Sequence, residues 1–373
     1  MLAETVFFGS AGLIAYAYFG YPLAISVLRR FAKKRVHKKE ILPKVSFIIA
    51  GYNEEKVIAA KLRNVLALDY PENRLEVIFG SDGSTDETVK IARAFEAKGM
   101  KIMEFKERRG KVSVLNDAAA AANGEIIVFS DSRQLFEGAA LRSLVAPFSD
   151  PDIGAVSGEL MLGVAASGFG SSMVTYWNYE KSVRKAESEI DSVIGVTGAI
   201  WAMRKGLFEP YPPETILDDL YQPLRVILKG YRVVFEPAAK AFDEASRAPG
   251  QEIRRKARTI AGNWQIFLGM KGVLNPFRNR AFFQLVSHKL LRVMVPFLLA
   301  AAFMSNLFLA GEPLYRLLLQ AQAAFHGLCL LSVLVPFRVS ALKVFSAFTI
   351  LNYSAVVGFF RYITNSQEVI WKK

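Results

Sequence analysis

Three times between Val45 and Arg133 an apolar run of strand composition ends in a polar cluster, which sharply limits the folds open to the chain. Val45-Ser46-Phe47-Ile48-Ile49-Ala50 leads into Gly51-Tyr52-Asn53-Glu54-Glu55, Val77-Ile78-Phe79-Gly80-Ser81-Asp82 into Gly83-Ser84-Thr85-Asp86, and Ile126-Ile127-Val128-Phe129-Ser130 into Asp131-Ser132-Arg133. Helix patterns lie between them. Strands alternating with helices pair in parallel through right-handed crossovers, which sends the strand-to-helix loops to one edge of the sheet. The expectation is an α/β domain in which Tyr52, Glu54, Asp82 and Asp131 line one crevice at that edge, where open α/β sheets take ligands. Taken singly, each of these residues also has an ordinary turn role, because Asp and Gly serve backbone geometry. The order and spacing of the set point beyond that.

The two ends of the chain are of another kind. Val6 to Leu28 carries no charge and is followed at once by Arg29, Arg30, Lys33, Lys34, Arg35, Lys38 and Lys39. A span of ~20 apolar residues crosses a hydrocarbon core, and the basic run after it places Arg29 onward on the cytoplasmic side. Val293 to Ala310, Leu317 to Phe337 and Val344 to Phe360 are likewise free of Asp, Glu, Lys and Arg. The last is short enough to be re-entrant or interfacial instead. Pro276 to Arg292 mixes phenylalanine and leucine with Arg278, Arg280, His288, Lys289 and Arg292, as an amphipathic helix on the membrane surface would. The expected division is a spanning helix and basic segment over 1–40, an α/β domain over 41–270, an interfacial helix over 271–292 and two or three spans over 293–373. The net charge of +13 gathers beside apolar spans, which points to anionic lipid headgroups rather than nucleic acid. Cys329 is the single cysteine, so an intrachain disulfide or a cysteine-based metal site is excluded.

With these motifs in this order, the chain resembles the family 2 glycosyltransferases, the group of cellulose, chitin, hyaluronan and poly-N-acetylglucosamine synthases and of many bacterial exopolysaccharide and lipid glycosyltransferases. The resemblance runs from about Leu42 to Phe267. It implies the Rossmann-like GT-A fold and inverting transfer of a sugar from a nucleotide donor, most often UDP-linked, to a lipid or saccharide acceptor at the bacterial inner membrane, with the catalytic domain in the cytoplasm.

The resemblance also assigns residues. Ala50, Tyr52 and Glu54 fall at the nucleotide edge of the first strand, and Asp82 stands where the family reads uracil; Asp86 belongs to the start of the following helix. Lys111, opening the helix pattern that runs to Asn116, corresponds to a lysine that faces the nucleotide. A lysine there opposes the helix dipole unless an anion is bound. Asp131-Ser132-Arg133 occupies the place of the family's Asp-X-Asp motif, with Arg133 where the second carboxylate belongs. Arginine cannot hold Mg²⁺ or Mn²⁺ but can pair with phosphate, so either Asp131 alone recruits the cation or Arg133 partly replaces it.

Gly198 and Trp201 lie in the segment expected beneath the acceptor, where Trp201 either stacks on a sugar or fills the core. Asp218-Asp219 stands where the family has Thr-Glu-Asp, and the alignment makes Asp219 the general base, its pKa raised by burial beside Asp218; the plain alternative is N-capping of a helix. Gln251-Glu252-Ile253-Arg254-Arg255 matches Gln-X-X-Arg-Trp except that Arg255 replaces the tryptophan. Gln251, Arg254 and Arg255 are then donor-side residues, and the lost tryptophan counts against a processive polymerase. Two rival readings remain open: a processive synthase that also exports its polymer, with oligomerisation or secretion partners, and an inactive nucleotide-sugar-binding subunit of a secretion complex.

Overall fold

A computed structural model of the chain describes residues 1–163, 169–244, 249–334 and 343–369. Among them, eight strands form one mixed sheet: β1 (Val45–Gly51), β2 (Leu75–Asp82), β3 (Lys101–Phe105), β4 (Ile126–Asp131), β5 (Leu135–Phe136), β6 (Ile153–Leu162), β7 (Trp201–Arg204) and β8 (Arg232–Asp243). Their order across the sheet is β3-β2-β1-β4-β7-β6-β8-β5. β1 pairs in parallel with both β2 and β4, so the strand order reverses at β1. That reversal opens a crevice at the carboxyl ends, and the register sets Ala50 beside both Gly80 and Asp131.

β1 is buried along its whole length because helices cover both faces of the sheet. Its alternating side chains divide between two cores. Val45, Phe47 and Ile49 pack with Ile58, Leu62 and Val65 on one face, while Ile48 and Ala50 pack with Val112, Leu115 and Ala118 on the other. The period of two in the strand thus meets the period of 3.6 in two different helices, Ile58–Leu66 and Lys111–Ala121.

Four helices among the described residues are long and apolar enough to cross a membrane: Leu2–Phe31, Phe282–Leu309, Pro313–Leu334 and Val344–Ile363. The last, expected to be marginal, belongs to the continuous helix Lys343–Ile363, and its Phe359 ring lies 5.2 Å from Trp264 of the helix Pro249–Gly269.

The stretch 276–292 departs from expectation. It is not a separate surface helix: from Phe282 it runs through a π-turn, Leu285–Leu290, straight into Leu291–Leu309. Of its polar residues, Arg280, His288 and Arg292 face protein. His288 is buried with Nδ1 2.7 Å from Glu187 Oε1 and Nε2 3.0 Å from Glu180 Oε2, while Arg292 pairs with Glu180 and donates to the Tyr179 hydroxyl at 3.0 Å. Tyr21, beside a second π-turn at Tyr16–Gly20, donates to Glu187 Oε1 at 2.5 Å. Burial alone would raise the Glu180 pKa, but Arg292 and His288 outweigh it and hold this carboxylate well below its usual range. Amphipathic periodicity was satisfied by buried carboxylates on the helix Phe169–Ile190 rather than by headgroups. Several basic residues after the first span are also spoken for: Lys33 pairs with Glu189, Lys34 with Asp191 and Lys38 with Glu236.

Candidate active site

The crevice is organised by one ammonium. Lys111, the first residue of its helix, extends Nζ to within 2.9 Å of Asp131 Oδ1 and 3.0 Å of Asp218 Oδ2. Burial opposes its charge, yet Asp131 and Asp218 outweigh burial and raise its pKa. The expected partner of Lys111 was a nucleotide; in the structure its anions are the carboxylate ending β4 and the first residue of the helix Asp218–Leu228.

Asp218 and Asp219 occupy the first turn of that helix, which begins at Leu217 without a side-chain capping bond, so the N-capping alternative does not describe them. The Asp219 carbonyl accepts from Val196 N at 2.9 Å, and a side chain at Gly198 would stand 3.4 Å from Asp219 Oδ2. Burial, and then the like charge of Asp218, raise the Asp219 pKa to about 6, while Lys111 pulls the other way. Lys289, at the start of a spanning helix, also acts to lower it, so the field at Asp219 includes a charge from the membrane-facing part of the fold.

Two supports of this corner were invisible in sequence. Arg184, from the helix Phe169–Ile190, donates to Thr197 Oγ1 at 2.9 Å, Ser157 Oγ at 2.8 Å and the Gly195 carbonyl at 3.1 Å. Gln265 accepts from Ile216 N at 3.0 Å and donates to the Glu214 carbonyl, clamping the segment that enters Asp218. A third, Asn116, exchanges two hydrogen bonds with the Tyr211 backbone, and the Tyr211 hydroxyl is buried without a partner. Only the helical register of Asn116 to Lys111 gave a signal; the others are long-range contacts.

At the loops after β1 and β2 the structure gives several of the expected residues partners within the chain. Asp82 has no exposed surface, and its carboxylate accepts from Arg109 N at 2.7 Å and from Gly110 N at 3.0 and 3.1 Å. It anchors the loop before Lys111 instead of presenting itself to a base. Gly110 makes this possible, since its φ of +90° suits glycine and lies just before the helix. Ala50 is buried, its carbonyl taken by Ser132 Oγ at 3.2 Å.

Tyr52 keeps a partly open ring, with the Arg108 guanidinium 3.8 Å above it. Glu54 is partly exposed, and its backbone N–H donates to Thr88 Oγ1 at 2.6 Å. Asp86 serves the helix start, accepting from Thr88 N at 3.0 Å. Asn53, which sequence reading passed over, adopts φ 54° and accepts from Thr85 N at 2.8 Å, tying the β1 and β2 loops together.

Trp201 is fully buried in β7 and stacks on Phe129 at 4.5 Å; it fills the core and offers no face to a sugar. Arg133 is exposed but not idle: it donates to Asp243 Oδ2 at 2.7 Å, an atom that also accepts from Gln134. Asp243 more than offsets burial and raises the Arg133 pKa. Arg254 and Arg255 stand exposed on the helix Pro249–Gly269, and the Gln251 side chain lies outside the described residues.

A divalent cation would find Asp131 here, about one-third exposed and with only Oδ1 committed to Lys111. Among the described residues no group of three or more His, Cys, Asp or Glu side chains could hold a metal by itself. These residues fit Mg²⁺ or Mn²⁺ of the kind that takes one carboxylate and completes its shell with phosphates and water.

A carboxylate acting as a base must be unprotonated, so with Asp219 in that role kcat/KM would rise with pH to a limb near 6 and fall about tenfold per unit below it. Removing the neighbouring charge in Asp218→Asn should move that limb to lower pH, as read from a pH–rate profile.

Residues 46–211 match the family model described as glycosyl transferase family 2. The probable glycosyltransferase YdaM of Bacillus subtilis is 28% identical over 72% of this chain and 68% of its own length. A poly-beta-1,6-N-acetyl-D-glucosamine synthase of Staphylococcus epidermidis is 23% identical over 66% of this chain, and the match spans 63% of that relative, under two thirds. In structure, the mannosyltransferase PcManGT from Pyrobaculum calidifontis, solved with GDP-Man and Mn2+, superposes with a TM-score of 0.74 at 23% identity, covering 98% of this chain and 100% of that one. Residues 46–211 therefore match a glycosyl transferase family 2 domain, in a chain with the GT-A fold that carries, among the described residues, four helices of membrane-spanning length.

Proposed function

We propose that the protein is an inverting membrane glycosyltransferase that moves a sugar from a nucleotide donor to a lipid or saccharide acceptor in surface-glycan synthesis. The observation that carries this reading is the Lys111 bridge, which holds the Asp131 carboxylate of the donor side in fixed relation to Asp218 and hence to Asp219. Transfer by direct displacement needs one base, and Asp219 is the carboxylate whose pKa is tuned toward neutrality. Asp219 takes the acceptor hydroxyl proton as the oxygen attacks the anomeric carbon and the bond to the nucleoside diphosphate breaks. Lys111 places positive charge where negative charge grows on the departing diphosphate, and Arg133 and Arg254 stand on the donor side. A Mg²⁺ or Mn²⁺ at Asp131, as the Mn2+ complex of the structural neighbour suggests, would neutralise the same phosphates.

The donor class is a nucleoside-diphosphate sugar, linked to UDP or GDP. Asp82, the residue expected to select uracil, is committed to the chain itself, so base choice falls to the rim around Tyr52 and Arg108. Lys289 supports an acceptor arriving from the membrane side, and the basic segment after the first span supports a cytoplasmic catalytic domain. The processive reading draws on the poly-beta-1,6-N-acetyl-D-glucosamine synthase relatives, while Arg255 in place of tryptophan speaks for single addition.

The test is release of free nucleoside diphosphate by detergent-purified full-length protein given UDP- and GDP-sugars with a membrane lipid extract, in Mg²⁺, Mn²⁺ or EDTA. Turnover that stops in EDTA is expected, and the active donor names the base. Turnover persisting in EDTA would replace the cation by Arg133. No release with any donor would support the inactive binding subunit instead, and product length separates single addition from polymerisation.

A further inference from the structure

Beneath the loop that carries Asp131 lies an ammonium that the reaction above does not use. Lys61, on the helix Ile58–Leu66, has no solvent exposure. Its Nζ donates to Ser130 Oγ at 2.7 Å and to the Gln134 carbonyl at 2.6 Å. The rings of Phe136 and Phe47 take up other sides, with centroids 4.5 and 5.3 Å away. Burial drags the Lys61 pKa down to about 7 against the upward pull of Asp131, which shows how poorly this pocket solvates a cation.

A leucine or methionine would fill the same space between helix and sheet without desolvating a charge. What an apolar side chain would not supply is the pair of hydrogen bonds, and both fall on one short loop. Ser130 is the residue before Asp131, and Gln134 is the residue after Arg133. A single atom therefore ties together the two ends of Asp131-Ser132-Arg133. The tie extends further, because Ser130 Oγ, accepting from Lys61, donates to the Ala199 carbonyl at 2.8 Å. Ala199 follows Gly198, the glycine packed against Asp219. At the other end Gln134 Nε2 reaches Asp243 on β8 at 2.7 Å.

We propose that Lys61 is a positioning residue for donor binding: its ammonium staples the loop of Asp131 and, through Ser130, ties that loop to the segment beside Asp219, so that the loop is already set to receive the donor's diphosphate. The proposal rests on the transferase reading above. Its signature is a change in donor KM, since the loop meets the donor's phosphates and Lys61 itself touches no reactant. Misplacement of a substrate-positioning group by about an ångström can cost up to roughly a hundredfold in kcat/KM, and for a loop that only receives the donor this loss falls on KM.

The experiment uses detergent-purified full-length protein, with UDP and GDP binding in Mn²⁺ measured by calorimetry and donor kinetics by diphosphate release. Wild type is read first; if it binds neither nucleotide and releases no diphosphate, the transferase reading fails and this proposal falls with it. Given an active wild type, Lys61→Met is expected to raise donor KM and nucleotide Kd roughly tenfold or more with kcat within about threefold. Ser130→Ala should give a smaller rise in the same constants, and the double variant should be no worse than Lys61→Met, because both act through one clamp. Unchanged KM and Kd in both single variants would overturn the proposal, as would strict additivity in the double variant. If Lys61→Met does not fold, Ser130→Ala decides: a raised donor KM at unchanged melting temperature supports the staple, and a lowered melting temperature at unchanged KM overturns it.

Discussion

Replacing Asp219 by asparagine is expected to slow transfer by roughly 10²–10⁴-fold while leaving donor affinity within a few-fold of wild type. The amide keeps the size and polarity of the side chain but cannot accept a proton at any accessible pH. Asp219 has no ion pair to lose among the described residues, so the substitution removes a base without stranding a partner, and its burial beside Asp218 means that losing the charge relieves a like-charge contact. The folded state should therefore be no less stable. The pH–rate profile gives a second readout: the limb near 6 should vanish in the residual activity of Asp219→Asn. Retention of that limb would assign it to another group and end the case for Asp219.

The second large effect belongs to Lys111. Lys111→Met would leave Asp131 and Asp218 facing each other across the crevice without the cation that joins them. Breaking a buried ion pair by removing one partner costs about 3–5 kcal/mol, and the lower end applies here because Asp131 is about one-third exposed and water screens part of its charge. Activity should drop by about 10²–10³-fold, the scale for losing one oriented charge on a developing anion. The sign of the pH effect is fixed as well. Lys111 is among the charges that hold the Asp219 pKa down, so its loss must move the acid limb upward from about 6. Melting temperature and a pH–rate profile on the same variant check both halves, and an unmoved limb would separate Lys111 from Asp219. Lys111→Arg should restore less than its charge suggests, since a planar fork does not replace a point donor set between two carboxylates.

Much of the fold was legible because it depends on local period. The three strand-to-loop transitions, the helix patterns between them and the apolar end segments follow from alternation, turn residues and charge-free runs, which read the same way wherever the chain goes. Asp86 is a case in point: it serves the helix start beside it, as its position suggested. The stretch 276–292 shows the limit. A mixed polar and apolar pattern names a face without naming what covers it, and at His288 Glu180 and Glu187 cover it here.

The sequence by itself determined the α/β order of the central domain, the polar clusters at the ends of β1, β2 and β4, the apolar helices at both ends and the Asp218-Asp219 pair that opens its helix. Only the tertiary structure decided how the charges are shared. It turned Asp82 inward to its own loop, gave Arg133 to Asp243, sealed Trp201 against Phe129, and set Lys111 between Asp131 and Asp218 with Lys61 beneath. The reason is range: a pattern of polar and apolar residues is fixed by neighbours a few positions away. An ion pair inside a protein is fixed by which distant segments the packed core brings within about 4 Å, and by the need to satisfy every charge it buries.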